Sequence, residues 1–108
     1  MDPIDLTKLL KDRYKMRILT STERMPRSMN YLSAKLAIPI AACYKCAREL
    51  EKEGLLVQTE RVLTPRGKRI SLYRSNIVSA ILTYEKGVLR STLELSNSSM
   101  DVVEMMSV

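Results

Sequence analysis

The sequence predicts an α+β fold, with helices first and strands after, and three observations predict it. Through residue 53 the apolar residues recur at spacings of three and four. Beyond Gly54 the period changes to two. The residues that break regular structure, Pro39, Gly54, Pro65 and Gly67, stand between the periodic runs and not inside them. A chain of 108 residues, 45% hydrophobic and 28% charged, carries enough apolar material for one core and is too short for two ordinary domains. A single domain is expected over residues 1–95 with its core in 13–76. The Ser-Asn-Ser-Ser run from Ser96 reads as the start of a frayed tail to residue 108.

The first helix is expected from Asp2-Pro3, where Asp caps free amides and Pro at the first position has no amide to leave unpaired. Ile4, Leu6, Leu9 and Leu10 carry it to about Lys11. Asp12 then caps a second helix to about Thr20, in which Tyr14, Ile18 and Leu19 face inward and Arg13, Lys15 and Arg17 face water. The stretch from Ser21 to Ser28 has no sustained period and contains Pro26, so it reads as a connection that ends in a Ser28 cap. From Met29 a compact helix turns Leu32 and Leu36 inward, and it stops at Ala37-Ile38-Pro39, because Pro cannot continue a helix and disfavours a helical residue before it. The same Pro suits the first turn of the next helix, Ile40 to Glu53. That helix buries Cys43, Ala47 and Leu50 and leaves Tyr44, Lys45, Arg48 and Lys52 on other faces, with Gly54 as its left-handed stop.

Leu55–Val62 and Arg69–Arg74 read as paired strands around a tip, Thr64-Pro-Arg-Gly-Lys68, in which Pro supplies a fixed φ and Gly a positive one. Residues 77–84 and 88–95 read either as a second hairpin about Glu85-Lys86-Gly87 or as one long helix usable for dimerisation. The β-branched residues Ile77, Val78, Ile81, Thr83, Val88 and Thr92 favour the hairpin. Apolar pairs at 77–78, 81–82 and 88–89 fit the helix, at a cost of about 1 kcal/mol for Gly87 in its middle.

The net charge of +6 is unevenly spread. Residues 13–76 hold fourteen Lys or Arg against five Glu, a surplus of nine, whereas the flanking segments are slightly acidic. A basic surplus confined to one segment is the footprint of a polyanion-binding surface, although a solvated basic face gives the same count. No apolar run approaches the ~18 residues of a membrane span, and the N-terminus lacks the basic start and apolar stretch of a signal peptide. A cytoplasmic protein with no membrane contact is expected, and Cys43 and Cys46, three residues apart, are expected as reduced thiols.

A short helix, a three-residue bend, a longer helix and a basic hairpin follow one another in the order of a winged helix-turn-helix. Leu32 to Leu56, with its spacing of Leu36, Ile38, Cys43, Ala47, Leu50 and Gly54-Leu55, is followed by the Thr-Pro-x-Gly-Lys pattern of residues 64–68. Together they resemble the helix-turn-helix and wing of ArsR-type and MarR-type transcriptional regulators, particularly small archaeal ones, over residues 13–76. The bend departs from that pattern, with Ala37 and Pro39 in place of the common Gly and Ser or Thr. The resemblance implies a double-stranded DNA-binding regulator that acts as a homodimer. It places Ile40, Ala41, Tyr44, Lys45 and Arg48 on the major-groove side, and Arg66, Lys68 and Arg69 on a wing that meets backbone phosphate or the minor groove. Lys and Arg donate to guanine edges or phosphates, Tyr donates to phosphate or packs on sugar, and a small Ala permits close approach. Pairing two half-sites is also economical, since one winged domain covers only about 600–1,000 Å² on DNA.

Two other functions compete with this reading. Winged domains also serve as protein-interaction modules of larger assemblies, and the fold does not decide between them. Cys43-Tyr-Lys-Cys46 could instead make a thiol- or metal-responsive regulator. Two thiols are too few for a closed zinc site, and the chain has no His, so small buried side chains are the simpler reading. Met16, Met25 and Met29 likewise read as core filler. No cofactor is expected, and neither is an enzyme: no phosphate loop and no nucleophile–base pair can be assembled.

Overall fold

In a computed structural model, residues 6–96 are described in full and 101–107 by their backbone; residues 1–5, 97–100 and 108, with the expected Asp2-Pro3 cap and part of the expected tail, lie outside the described residues. The fold is α+β. Four helices come first, α1 (Leu6–Lys11), α2 (Arg13–Ser21), α3 (Met29–Leu36) and α4 (Ile40–Lys52). Five strands follow: β1 (Leu56–Leu63), β2 (Arg69–Ser75), β3 (Ile77–Glu85), β4 (Val88–Leu95) and β5 (Asp101–Ser107).

The helix starts are made by the capping residues expected from sequence. The Asp12 carboxylate accepts from the Lys15 amide at 3.1 Å, and the Ser28 hydroxyl accepts from the Tyr31 amide at 3.1 Å. Between α3 and α4 the chain turns sharply because Ala37 takes left-handed values, φ 56° and ψ 43°. Its neighbour Ile38 is fully buried, donates its amide to the Ser33 carbonyl and accepts from the Ser33 hydroxyl. The bend thus satisfies the end of α3 while pinning the start of α4. Gly54, at φ +78°, ends the α4 segment and turns the chain into β1.

The core lies where α2, α3 and α4 meet the base of the first hairpin. Ile18, Leu32, Cys43, Leu50 and Leu55 are completely buried there. Two assignments on α2, one inward and one outward, are corrected. Tyr14 is 40% exposed. Lys15, expected in water, is half-buried, with its ammonium 2.8 Å from Glu49 and 3.8 Å from Glu53 on α4. Its aliphatic stem covers apolar surface while its head finds carboxylates, a pairing across helices that local periodicity cannot register. Met25 is also exposed and is not core filler, whereas Met29 is buried.

β1 and β2 pair antiparallel, with an irregularity between Gln58 and Glu60, and Arg27 exchanges two backbone hydrogen bonds with Tyr73, at 2.9 and 2.8 Å, on the other edge of β2. Residues 77–95 form a hairpin and not a helix. Lys86 and Gly87 have φ values of 52° and 76°, the two positive values of a two-residue hairpin turn that follows the strand twist. The expected tail is corrected over 101–107, where β5 pairs with β4 to complete a three-stranded sheet of order β3-β4-β5. Asn76, buried between the two sheets, donates its side-chain amide to the Gly54 carbonyl at 2.9 Å and accepts from the Ser96 hydroxyl. It ties the end of α4, the end of the first hairpin and the end of β4 to one point. Among the described residues no helix is long and apolar enough to cross a membrane.

Candidate nucleic-acid interface

The spacing of α4 sorts its residues into three faces. Cys43, Cys46, Ala47 and Leu50 are buried against α2, α3 and β1. Glu49 and Glu53 flank α2, where they meet Lys15. Ile40, Ala41, Tyr44, Lys45 and Arg48, at i, i+1, i+4, i+5 and i+8, form the third face, and all five are exposed. The charges are partly sorted as a result. Burial disfavours the Lys15 ammonium, but its hydrogen bond to Glu49 and the charges of Glu49, Glu53 and Asp12 outweigh this and raise its pKa. The same hydrogen bond holds the Glu49 carboxyl below its usual range. Glu49 of α4 and Glu53 just beyond it are thus engaged on the α2 side, although the Lys45 and Arg48 charges also act on Glu49, and Glu51 remains exposed.

The first hairpin presents its own cations on a turn of defined shape. The Gly67 amide donates to the Thr64 carbonyl at 2.9 Å, the Thr64 amide to the Lys68 carbonyl at 2.8 Å, and the Lys68 amide to the Thr64 hydroxyl at 3.1 Å. Gly67 sits at φ +79°, the left-handed position that closes a three-residue hairpin loop begun by Pro65. Arg66, Lys68 and Arg69 are exposed. Among the described residues, none of Lys45, Arg48, Arg66, Lys68 and Arg69 is engaged in an ion pair.

The fold brings part of this set together. Tyr44 of α4 shares a cleft of about 140 Å³ with Lys68 and Arg69 of the hairpin, floored by Tyr73. Arg66 and Lys68 line an adjoining cleft of about 420 Å³. Ile40, Ala41, Lys45 and Arg48 line neither cleft and lie on the open helix face. Ser28 and Asn30 at the start of α3 line both clefts, and sequence reasoning missed them as site residues. Ser28 was legible only as a cap, and Asn30 carries no local signal; each joins the site because the hairpin packs beside α3. Beside them, the Arg27 guanidinium lies 4.5 Å from the centroid of the Tyr31 ring, which steadies another cation near the same edge.

The two cysteines belong to the other side of the helix. Both are buried and unbridged. Burial pushes both thiols above their ordinary pKa, with a Ser33 hydrogen bond partly opposing this at Cys43. A buried, protonated thiol offers neither a nucleophile nor a ligand to the surface. Among the described residues no cluster of His, Cys, Asp or Glu is arranged to hold a metal ion. Comparison of the sequence with protein-family models and with curated proteins finds no match to either, so geometry and chemistry alone carry the reading of this site.

Proposed function

We propose that the chain is a winged helix-turn-helix protein that binds double-stranded DNA, a cytoplasmic transcriptional regulator of the ArsR-like or MarR-like kind acting as a homodimer. In this reading α4 is the recognition helix and the β1–β2 hairpin is the wing. The supporting observation is the charge distribution: among the described residues, five exposed cations that form no ion pair lie on one helix face and the neighbouring hairpin, while Glu49 and Glu53 are engaged by Lys15 on another face. A cationic surface free of internal partners is suited to exchanging condensed counterions for phosphate contacts.

The two elements have different work. Lys45 and Arg48 project from a rigid helix, where a fixed donor can address a base edge. Arg66 and Lys68 stand on a loop, where contact with phosphate needs no fixed angle. Ala41 leaves room for the groove wall, and Tyr44, beside Lys68, suits a phosphate or sugar contact where helix and wing converge. Titration of a labelled duplex at several salt concentrations tests the proposal. Affinity that falls steeply and log-linearly with salt supports it; absence of binding, or binding indifferent to salt, refutes it in favour of a protein-interaction module.

A further inference from the structure

We infer that β3 is the dimerisation edge: two copies pair their β3 strands antiparallel about a two-fold axis through Ile81, making one continuous six-stranded sheet. This deepens the homodimer part of the function proposed above and does not depend on the DNA part. β3 is an outer strand, and among the described residues nothing pairs with its free edge. Glu85 and Val88 close a two-residue turn, so Thr83 and Ile81 direct their backbone groups to β4, opposite Arg90 and Thr92. The alternate residues Ala80, Leu82 and Tyr84 direct theirs outward, and the register shift between Ile77 and Ser79 ends this alternation.

Sheet edges that stay single are usually guarded by Lys, Pro or inward charge. From Ile77 to Tyr84 this strand has no charged residue and no proline, and its one charge, Glu85, stands at the end. The opposite edge strand, β5, includes Asp101 and Glu104 in its sequence. The unguarded strand is also complementary to itself. Centred on Ile81, the regular part of the strand pairs with itself: Ala80 meets Leu82 and Ser79 meets Thr83, so apolar faces apolar and polar faces polar, and Tyr84 reaches the irregular Ile77–Val78 end. The two Glu85 side chains stay apart, at opposite ends of the pairing. In this register Ala80 and Leu82 fall in hydrogen-bonded pairs and Ile81 in the closer, non-hydrogen-bonded type, as their backbone directions require.

The available surface matches the need. Leu10, Val78, Ile81, Leu82 and Tyr84 are between 36% and 60% exposed. A Tyr presents roughly 150–250 Å² when fully accessible and the aliphatic side chains less, so together they leave a few hundred Å² of apolar surface open, Ile81 on one face of the strand and Leu82 and Tyr84 on the other. A standard interface takes about 800 Å² from each partner, about 65% of it apolar in homodimers. The two-fold axis stands perpendicular to the sheet, so the apolar faces of both copies lie on one side. Tyr84 of the second copy then sits beside Val78, near the groove of about 410 Å³ that Leu10 and Leu82 line between α1 and β3.

Sedimentation of the full chain tests the inference, with circular dichroism as the check on folding. The parent is expected to be a dimer. Ile81→Lys, at a position open in the single copy, places like charges opposite each other and is expected to shift the mass to that of the monomer at unchanged helicity. As an independent arm, Ile81→Cys treated with oxidised glutathione is expected to form a disulfide-linked dimer, while Thr83→Cys, which faces Ser79 of the second copy, and the parent are not. A monomeric parent, a dimeric Ile81→Lys, or equal cross-linking of the two cysteine variants overturns the inference. A dimer that obeys these rules and ignores DNA leaves this inference standing and removes the DNA-binding reading.

Discussion

The two hairpins of this protein share antiparallel pairing and tight glycine-containing turns, yet they show opposite chemistry to their surroundings. The β1–β2 hairpin ends in Arg66, Lys68 and Arg69 beside the exposed face of α4. The β3–β4 hairpin exposes Val78, Ile81, Leu82 and Tyr84, and its only tip cation, Lys86, follows Glu85. One surface suits a polyanion and the other an apolar partner. The contrast teaches that in a small α+β chain the element type says little about function; what matters is which side chains each element leaves without an internal partner.

The largest effect expected from breaking this contrast is at α4. Arg48→Ala should cost about 1–3 kcal/mol on a preferred duplex and flatten discrimination between duplexes, if its guanidinium reaches a base edge; competition between two unrelated duplexes measures both. The wing should fail differently. Arg66→Ala combined with Lys68→Ala should weaken all duplexes alike and lower the slope of log affinity against log salt by about 2 per protomer, one for each lost phosphate contact. If Ile81→Lys alone reproduced that loss of slope, the division of labour between the hairpins would be wrong.

Two further changes leave both hairpins untouched and so act as controls. A left-handed Ala carries a steric cost that Gly lacks, so Ala37→Gly should raise stability by about 0.5–1 kcal/mol, read as a higher midpoint in urea, with DNA affinity unchanged. The smallest effect is expected from Lys15→Met, which removes the link to Glu49 and Glu53. The Glu49 carboxyl is depressed in the folded chain, so its contribution is present above the ordinary carboxyl range and is lost as pH falls through its lowered value. The Lys15 pKa is raised, so its contribution is present below the ordinary lysine value and is lost as pH rises through the raised one. The variant and parent should therefore differ most at neutral pH and converge at both extremes, which thermal melts across pH can check.

The helix order and the outward face of α4 were legible because buried and exposed positions on a helix repeat at fixed spacing, and the eight expected site residues all proved exposed. Arrangements set by distant partners were not. Lys15 looks like a surface residue until Glu49 and Glu53 are brought against it, and Tyr14 is displaced outward on the same helix. Pro39 announced the bend, but nothing local said that Ala37 would take the left-handed conformation usually left to glycine. The choice between hairpin and helix for 77–95 turned on Lys86-Gly87, since β-branched and paired apolar residues supported both readings. Asn30 entered the site, and Asn76 the junction, only through elements far away in sequence.

The account rests on the claim that α4 and the first hairpin form one DNA-binding surface and that the second hairpin does not belong to it. Amide chemical shifts of the nitrogen-15-labelled chain, followed while a duplex is added, test this most directly. The account predicts that shifts concentrate in residues 28–31, 40–48 and 64–70 and leave 77–85 unmoved. Shifts confined to 77–85, or none while salt-dependent binding is absent, would contradict it.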